Sequence, residues 1–323
     1  MTTKKSGTIL ITTLWILAIL SVLAIGIGFR SSIEARLSKY NMDRLKAEYF
    51  AKAGIVKAQA ILSKDAVTEY DTIRECGITI PVDKELADIF TGKLADGAFE
   101  VNYTEEGSVY YGMMDEERKI DINKIPEKIP RIVLETILGT GNEDVAASII
   151  NWRSKARIPN GAWDDDYESL THPYKCKHAD FSVIEELMLV KGMTPELFES
   201  VKDYLTVYGQ DGKININTAT RKVMLACGLG VNMVNGIMNV RNGQDGIAGT
   251  KDDGLVNDIT PEAVAKWNIA FDENEKNALN YFTTKSNYFR IESRGAVEGS
   301  KIGVKIACVV DRKAKKLIYY REY

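Results

Sequence analysis

The sequence predicts an α+β fold: a long N-terminal helix packed on an antiparallel sheet, with a large α-helical region inserted between the strands. Three observations predict it. Residues 6–29 carry no charged side chain and run directly into a charge-rich segment with helical apolar spacing. Alternating apolar and polar residues occupy 97–114 near the start of the body and 288–323 at its end. Between them, over residues 119–285, helical spacing and glycine turns dominate.

Length and composition set the frame. The 323 residues suit two domains, or one domain with a large insertion. Hydrophobic content of 45% and charged content of 27% are those of an ordinary folded protein. A net charge of -3 gives nothing global to recruit nucleic acid or an acidic membrane. Cys76, Cys176, Cys227 and Cys308 form no CxxC pair. An extracytoplasmic body would allow three pairings if all four joined. Cys227 falls in a predicted helix and Cys308 in an apolar strand, where buried free thiols fit equally well.

The first element is the helix. The uncharged run spans roughly 36 Å at 1.5 Å per residue, enough to cross a bilayer. Lys4 and Lys5 precede it and Arg30 follows, which sets residue 1 on the cytoplasmic side and the body across the membrane. The apolar core is too long for a cleaved secretory signal, and polar helix follows it at once. Ile33, Leu37, Tyr40, Leu45, Tyr49, Ala53, Val56 and Ala60 recur near helical spacing. One helix is therefore predicted over residues 8–62, half in lipid and half in water. A generic single-pass anchor with an amphipathic stalk satisfies the same hydropathy.

The strands come next. Residues 97–106 alternate as a half-buried strand does, and 108–114 is the hairpin partner. Residues 288–297, 301–311 and 316–323 form three further strands of an antiparallel meander, separated by short Gly- or Lys-containing turns. The predicted sheet domain comprises 63–118 and 286–323, and the helical insertion 119–285.

The insertion contains an internal repeat, 119–166 and 213–258. KIDINKI at 119–125 parallels KININTA at 213–219. Each copy continues through a helix, with Asn123 and Thr218 as expected N-caps. A glycine turn follows at 138–139 or 227–230, then a second helix ending in Asn151-Trp152-Arg153 or Asn239-Val240-Arg241, then an Asp-rich loop. A duplicated helical unit explains the shared order. Between the copies, two helices meet at Lys191-Gly192-Met193. Ser182 and Glu185 form the expected capping box of the first, and Thr194-Pro195 starts the second.

KKSG followed by TILITTLWILAIL resembles a type IV prepilin leader. The resemblance implies cleavage between Gly7 and Thr8, with residues 1–7 removed and Thr8 N-methylated. It also implies a glutamate at the fifth mature position, where this chain has Thr12. One branch lacks that glutamate, the minor pseudopilin K (GspK) family of type II secretion systems. The segment SVIEELMLVKGMTPELFESVKDYLTVYG, the segment KININTATRKVML and the NWR before an Asp-rich loop all resemble the same family. The resemblance covers most of the chain. It implies a pilin-like fold with an inserted α-domain and no enzymatic activity. It places the protein in the inner membrane as a single-pass subunit, with the N-terminus cytoplasmic and the body periplasmic, and in the pseudopilus after processing. Its implied role is at the pseudopilus tip, initiating assembly for protein export across the outer membrane. The implied partners are the I- and J-type minor pseudopilins, the major pseudopilin, the prepilin peptidase and the inner-membrane secretion platform.

The remaining chemistry is sparse. The helix–glycine–helix units resemble helix-hairpin-helix or SAM-like modules, some of which bind phosphate through amides at a helix start. A membrane-tethered DNA receptor is the alternative function. Acidic residues flank these turns as often as lysines and no aromatic–basic stripe appears, so nucleic acid is the less favoured partner. The Asp-rich loops are candidate calcium sites, because calcium takes six to eight oxygens from a flexible loop. The candidate ligands are Asp245, Asp252, Asp253 and Asp258, near Asn242 and Asn257, and Asp164, Asp165 and Asp166, near Glu168. Neither loop has EF-hand spacing, and a solvated acidic turn has the same composition. Resemblance to the K family implies calcium in the inserted domain. His172, Cys176 and His178 form a sparse zinc-like cluster without a fourth ligand. No GxSxG, HExxH, Walker or dinucleotide signature appears, and two histidines leave little for acid–base catalysis.

Overall fold

The computed structural model describes residues 6–64, 70–79, 88–105, 107–265 and 272–323. Residues 1–5 of the expected leader lie outside them, as does the side chain of Cys76.

Helix α1 (Ser6–Lys64) is one unbroken rod. No proline interrupts it, so every backbone hydrogen bond can propagate. After α1 the chain forms α2 (Ile73–Cys76), β1 (Gly77–Thr79), β2 (Thr91–Leu94), β3 (Gly97–Glu105), β4 (Ser108–Gly112) and β5 (Met114–Asp115). The middle then contributes β6 (Ile120–Asp121), α3 (Arg131–Leu138), α4 (Glu143–Arg153), α5 (Asp164–Glu168), α6 (Pro195–Val201), β7 (Leu205–Thr206), β8 (Ile214–Asn215), α7 (Arg221–Ala226), α8 (Val231–Arg241), α9 (Pro261–Ala265), α10 (Glu273–Ala278) and β9 (Phe282–Thr283). The chain ends in β10 (Tyr288–Val297), β11 (Gly303–Asp311) and β12 (Lys316–Glu322).

The sheet runs β1-β4-β3-β10-β11-β12, all antiparallel. The hairpin prediction at 97–114 and the terminal meander appear as β3–β4 and β10–β11–β12. Gly107, at φ 82, supplies the left-handed backbone of the hairpin turn. Strand β10 sits between β3 and β11, so the C-terminal meander and the earlier hairpin build one surface.

The buried face of α1 differs from the apolar stripe read from the sequence. Ala47, Phe50, Ala51, Ile55, Ala58 and Leu62 face the sheet and are buried with Phe99, Val101, Ile291 and Ile306. Alanines take positions 47, 51 and 58 on this face, where the helix lies close to β10. A Cβ on Gly295 would overlap the Ala47 carbonyl oxygen, so side-chain volume is excluded there. The stripe members beside the sheet, Leu45, Tyr49 and Val56, are 47–63% exposed. They point away from the sheet, while Ala53 of the same stripe is partly buried against the cluster.

A second hydrophobic cluster gathers Ile120, Leu134, Ile149, Trp152, Tyr167, Leu187, Val223, Ile237 and Phe282, all from the middle of the chain. Each half of it opens with a strand that pairs in parallel with a strand closing that half, β6 with β7 and β8 with β9. The Asn of each opening motif is a pin. Asn123 exchanges two hydrogen bonds with the Phe181 backbone, at 3.0 and 2.8 Å. Asn217 does the same with Val256, at 2.9 and 3.0 Å. Asn123 and Thr218 are therefore not helix N-caps. Pro130 and Thr220 precede α3 and α7, and the Thr220 hydroxyl accepts from Val223 N. The Ser182–Glu185 capping box is absent as well. Ser182 N donates to Glu186, and the following residues form a 3-10 turn, Ile184–Leu189. The N-cap of α6 is as expected, with Thr194 accepting from Leu197 N and proline at N1.

Where the two clusters meet, five consecutive charged residues, Asp115 to Lys119, are all buried. Asp115 accepts from Ser286 Oγ and Thr218 Oγ1 at 2.6 Å, from Asn215 Nδ2 at 2.9 Å and from Glu117 N at 2.8 Å. Glu116 accepts from Arg290 Nε at 2.6 Å, Thr206 Oγ1 at 2.8 Å and Lys119 Nζ at 3.3 Å. Arg118 grips Glu105 with two bonds of 2.8 and 2.7 Å. Asp71 receives both Arg312 guanidinium nitrogens, at 2.7 and 2.9 Å. Every one of these carboxylates has charged or hydrogen-bonding partners from distant chain segments, which is what makes their burial tolerable.

Candidate functional site

Two features carry functional chemistry: the exposed anchor helix and the acidic loops. From Ile9 to Phe29 the large apolar side chains of α1 are 55–72% exposed. The helix is long and apolar enough to cross a membrane, and none of its apolar window is buried against the protein. Thr12 lies in this stretch. Its hydroxyl donates to the carbonyl oxygens of Thr8 and Ile9, at 3.1 and 2.9 Å, and so satisfies itself within the helix. Gly7 and Thr8 lie in the first turns of α1.

The second acidic loop folds around its own carboxylates. Asp252 Oδ2 accepts from Gln244 N and Asp245 N at 2.6 and 3.1 Å. The Thr250 hydroxyl lies 2.6 Å from Asp252 Oδ1 and 3.1 Å from Asp253 Oδ1, bringing those two carboxylates together. The Thr250 hydroxyl and then the Asp245 amide hold Asp252 down at about 2. Burial pushes Asp253 up. Gly243, at φ 63, sits where a Cβ would overlap Asp252, so only glycine closes this loop. Among the described residues, the buried Asn242 Oδ1 has no hydrogen-bond partner. Asp245 accepts from Ile247 N, and Asp258, beyond the turn, accepts from Thr260 N. Thr250 thus holds Asp252 and Asp253 side by side on a glycine-rich loop.

The first acidic loop is different. Asp164, Asp165 and Asp166 share one helical turn and face three ways. Asp166 pairs with Lys191 at 2.7 Å and caps Trp163 N. Asp165 is exposed, 3.8 Å from Arg157. Asp164 meets His178 Nε2 at 3.1 Å and accepts from Cys176 N at 3.0 Å. The expected trio of His172, Cys176 and His178 is not formed as such: His172 is exposed, and Asp164 takes its place. Among the described residues, Asp164, Cys176 and His178 form the one group of three such side chains whose ligating atoms all lie within 4.8 Å of one another. Burial, then Asp164 and Asp166, push the Cys176 thiol up to about 12. Cys176, Cys227 and Cys308 are buried free thiols.

In each helical hairpin a carboxylate holds an amide of the glycine turn. In the first turn the Gly141 amide is taken by Glu143 Oε1 at 3.1 Å, and in the second the Gly230 amide is taken by Glu275 Oε1 at 2.8 Å. A carboxylate occupies the position that phosphate would need.

A head of helices and antiparallel sheet behind one long, exposed apolar helix of membrane-spanning length defines the class of fold. The family model for type II secretion system protein K matches residues 132–210. It is 26% identical over 233 residues to type II secretion system protein K of Pectobacterium carotovorum, covering 68% of each chain. It is 25% identical over 233 residues to the protein of the same description from Pseudomonas aeruginosa, covering 69% of this chain and 68% of the relative. Its fold is similar to a chain in the crystal structure of the GspK-GspI-GspJ complex of enterotoxigenic Escherichia coli. That match has a TM-score of 0.58 at 14% identity and covers 91% of this chain and 98% of the other.

Proposed function

We propose that this minor pseudopilin sits at the tip of the pseudopilus and initiates its assembly, serving protein export across the outer membrane without enzymatic activity. The observation that carries the reading is the pair of apolar faces on α1. One covers the sheet, while Leu45, Tyr49, Val56 and, nearer the membrane, Ile33, Leu37 and Tyr40 remain exposed for neighbouring helices. Residues 8–29 hold the subunit in the inner membrane, with its N-terminus cytoplasmic and its body periplasmic, until assembly. The self-satisfied Thr12 supports the tip position. A carboxylate there would need a neighbour's amino terminus to offset its cost in lipid, and a first subunit has none. The solved complex supports I- and J-type partners. The major pseudopilin, the prepilin peptidase and the inner-membrane platform complete the set.

Leader removal provides the test. Intact-mass measurement of the native chain is expected to find Met1 to Gly7 missing and an N-methylated Thr8 at the terminus. A mature chain that keeps its first seven residues overturns the reading.

The second acidic loop is the proposed calcium site, with Asp252, Asp253 and Asn242 as oxygen donors and Asp245 and Asp258 as nearer and farther additions. Calcium is expected to raise the melting temperature, by about 2.7 kcal/mol of stability at a hundredfold excess over Kd. Chelator and Asp252→Asn should each abolish the shift. An unchanged melting temperature would count against the ion.

Residues 119–285 are read as an inserted domain of two helix-hairpin-helix or SAM-like repeats, flanked by the sheet domain of 63–118 and 286–323. The paired Asn pins support the duplication, and the β6–β7 and β8–β9 pairs support units reaching past 166 and 258 to residues 206 and 283. The occupied hairpin amides weigh against a DNA receptor.

A further inference from the structure

We propose that Asp164, Cys176 and His178 form a binding site for a zinc-class transition-metal ion on the first repeat. The geometry of His178 carries the argument. Its Nδ1 lies 2.7 Å from the Ser154 carbonyl oxygen, which can only accept, so Nδ1 carries a proton. In the neutral ring the Nε2 lone pair then faces Asp164, 3.1 Å from both carboxylate oxygens. A lone pair aimed at a carboxylate is repulsive, so a positive species belongs at that point: a second ring proton or a metal ion.

The third donor decides between them. Cys176 Sγ converges on the same point, with all three ligating atoms within 4.8 Å of one another. An imidazolium–carboxylate pair has no use for a thiol there, whereas zinc takes sulfur, imidazole nitrogen and carboxylate oxygen together. Metal–ligand bonds of about 2.0–2.3 Å place tetrahedral donors roughly 3.2–3.8 Å apart, and the His178–Asp164 separation is already close to that range.

The surroundings are built for it. Ser154 is the outer partner that orients a ligating histidine. The loop carrying both ligands is tied down by His178 N to Trp152 O at 2.8 Å and by Cys176 N to Asp164 Oδ1 at 3.0 Å. Trp163 packs on the imidazole with ring centroids 4.5 Å apart. Three protein donors leave a fourth position for water. The ion would staple the 174–178 loop to α5 through Asp164, giving each repeat its own cation: a soft-ligand site in the first and an oxygen site in the second.

The test uses the full chain in detergent with cobalt(II) as a visible substitute for zinc. One equivalent of cobalt should bind and give a thiolate-to-cobalt charge-transfer band, which zinc should bleach. Cys176→Ser, close in size to the native residue, should lose the band. His178→Ala and Asp164→Asn should each weaken cobalt binding at least tenfold, and Cys227→Ser should leave it unchanged. Saturating zinc should raise the melting temperature of the native chain and of Cys227→Ser but not of Cys176→Ser. Failure of the native chain to bind cobalt, or a band that survives in Cys176→Ser, would leave His178 as an imidazolium paired with Asp164 and overturn the site.

Discussion

Replacing Asp115 with alanine is expected to cost about 3–5 kcal/mol, a large share of the stability of a protein this size. The side chain is 2% exposed and accepts four hydrogen bonds, from Ser286, Thr218, Asn215 and the Glu117 amide. Alanine removes the acceptor and leaves all four donors buried. Two of them, Asn215 in β8 and Thr218 just after it, lie in the helical middle, and Ser286 lies just before β10. The variant should therefore loosen the helical region from the sheet before either hydrophobic cluster melts. Chemical denaturation should change from one transition to two. Asp115→Asn keeps an acceptor oxygen and should cost no more than about half as much. A single unshifted transition for Asp115→Ala would show that the junction does not couple the two clusters.

The second large effect is on pH dependence. Burial pushes Asp71 up to about 6, Glu117 up to about 7 and Asp121 up to about 6. A carboxyl group raised in the folded state holds its proton more tightly there than in the unfolded chain. Its contribution is complete below pH 4, where both states are protonated. It is lost as pH rises from about 4 to 7, while the unfolded chain ionises and the folded one does not. Each shift corresponds to about 3 kcal/mol. Glu116 runs the other way: Lys119 and Arg290 outweigh its burial and bring it down to about 2. Its contribution is present above pH 4.5 and is lost between 4.5 and 2. Stability should peak near pH 5 and decline toward pH 8, and Glu117→Gln should remove roughly a third of that decline. A melting temperature that climbs from pH 5 to pH 8 would contradict the buried placement of these groups.

The anchor, the strands and the hairpins were legible because each depends on local pattern. An uncharged run past one bilayer width, period-two alternation around Gly107, and Thr194-Pro195 at a helix start all act within a few residues. The apolar stripe on α1 shows the limit. Ile33, Leu37, Tyr40, Leu45, Tyr49 and Val56 recur near helical spacing, and that spacing alone suggests burial. The sheet instead took the face of Ala47, Ala51 and Ala58, because Gly295 brings β10 against the helix backbone.

The acidic candidates divide the same way. Spacing marked both loops, yet it gave no hint that α5 would turn Asp164, Asp165 and Asp166 toward three different partners. Nor did it show that Asp164 would replace His172 beside Cys176 and His178.

By itself the amino-acid order determined a membrane-length helix and an alternating sheet, since these follow from periodicity along the chain. Only the tertiary structure decided that the run from Asp115 to Lys119, five charged side chains in a row, is buried. A buried charge is tolerated only where opposite charges and donors converge on it. Those that meet this run come from Glu105, Thr206, Asn215, Ser286 and Arg290, brought together by folding rather than by spacing.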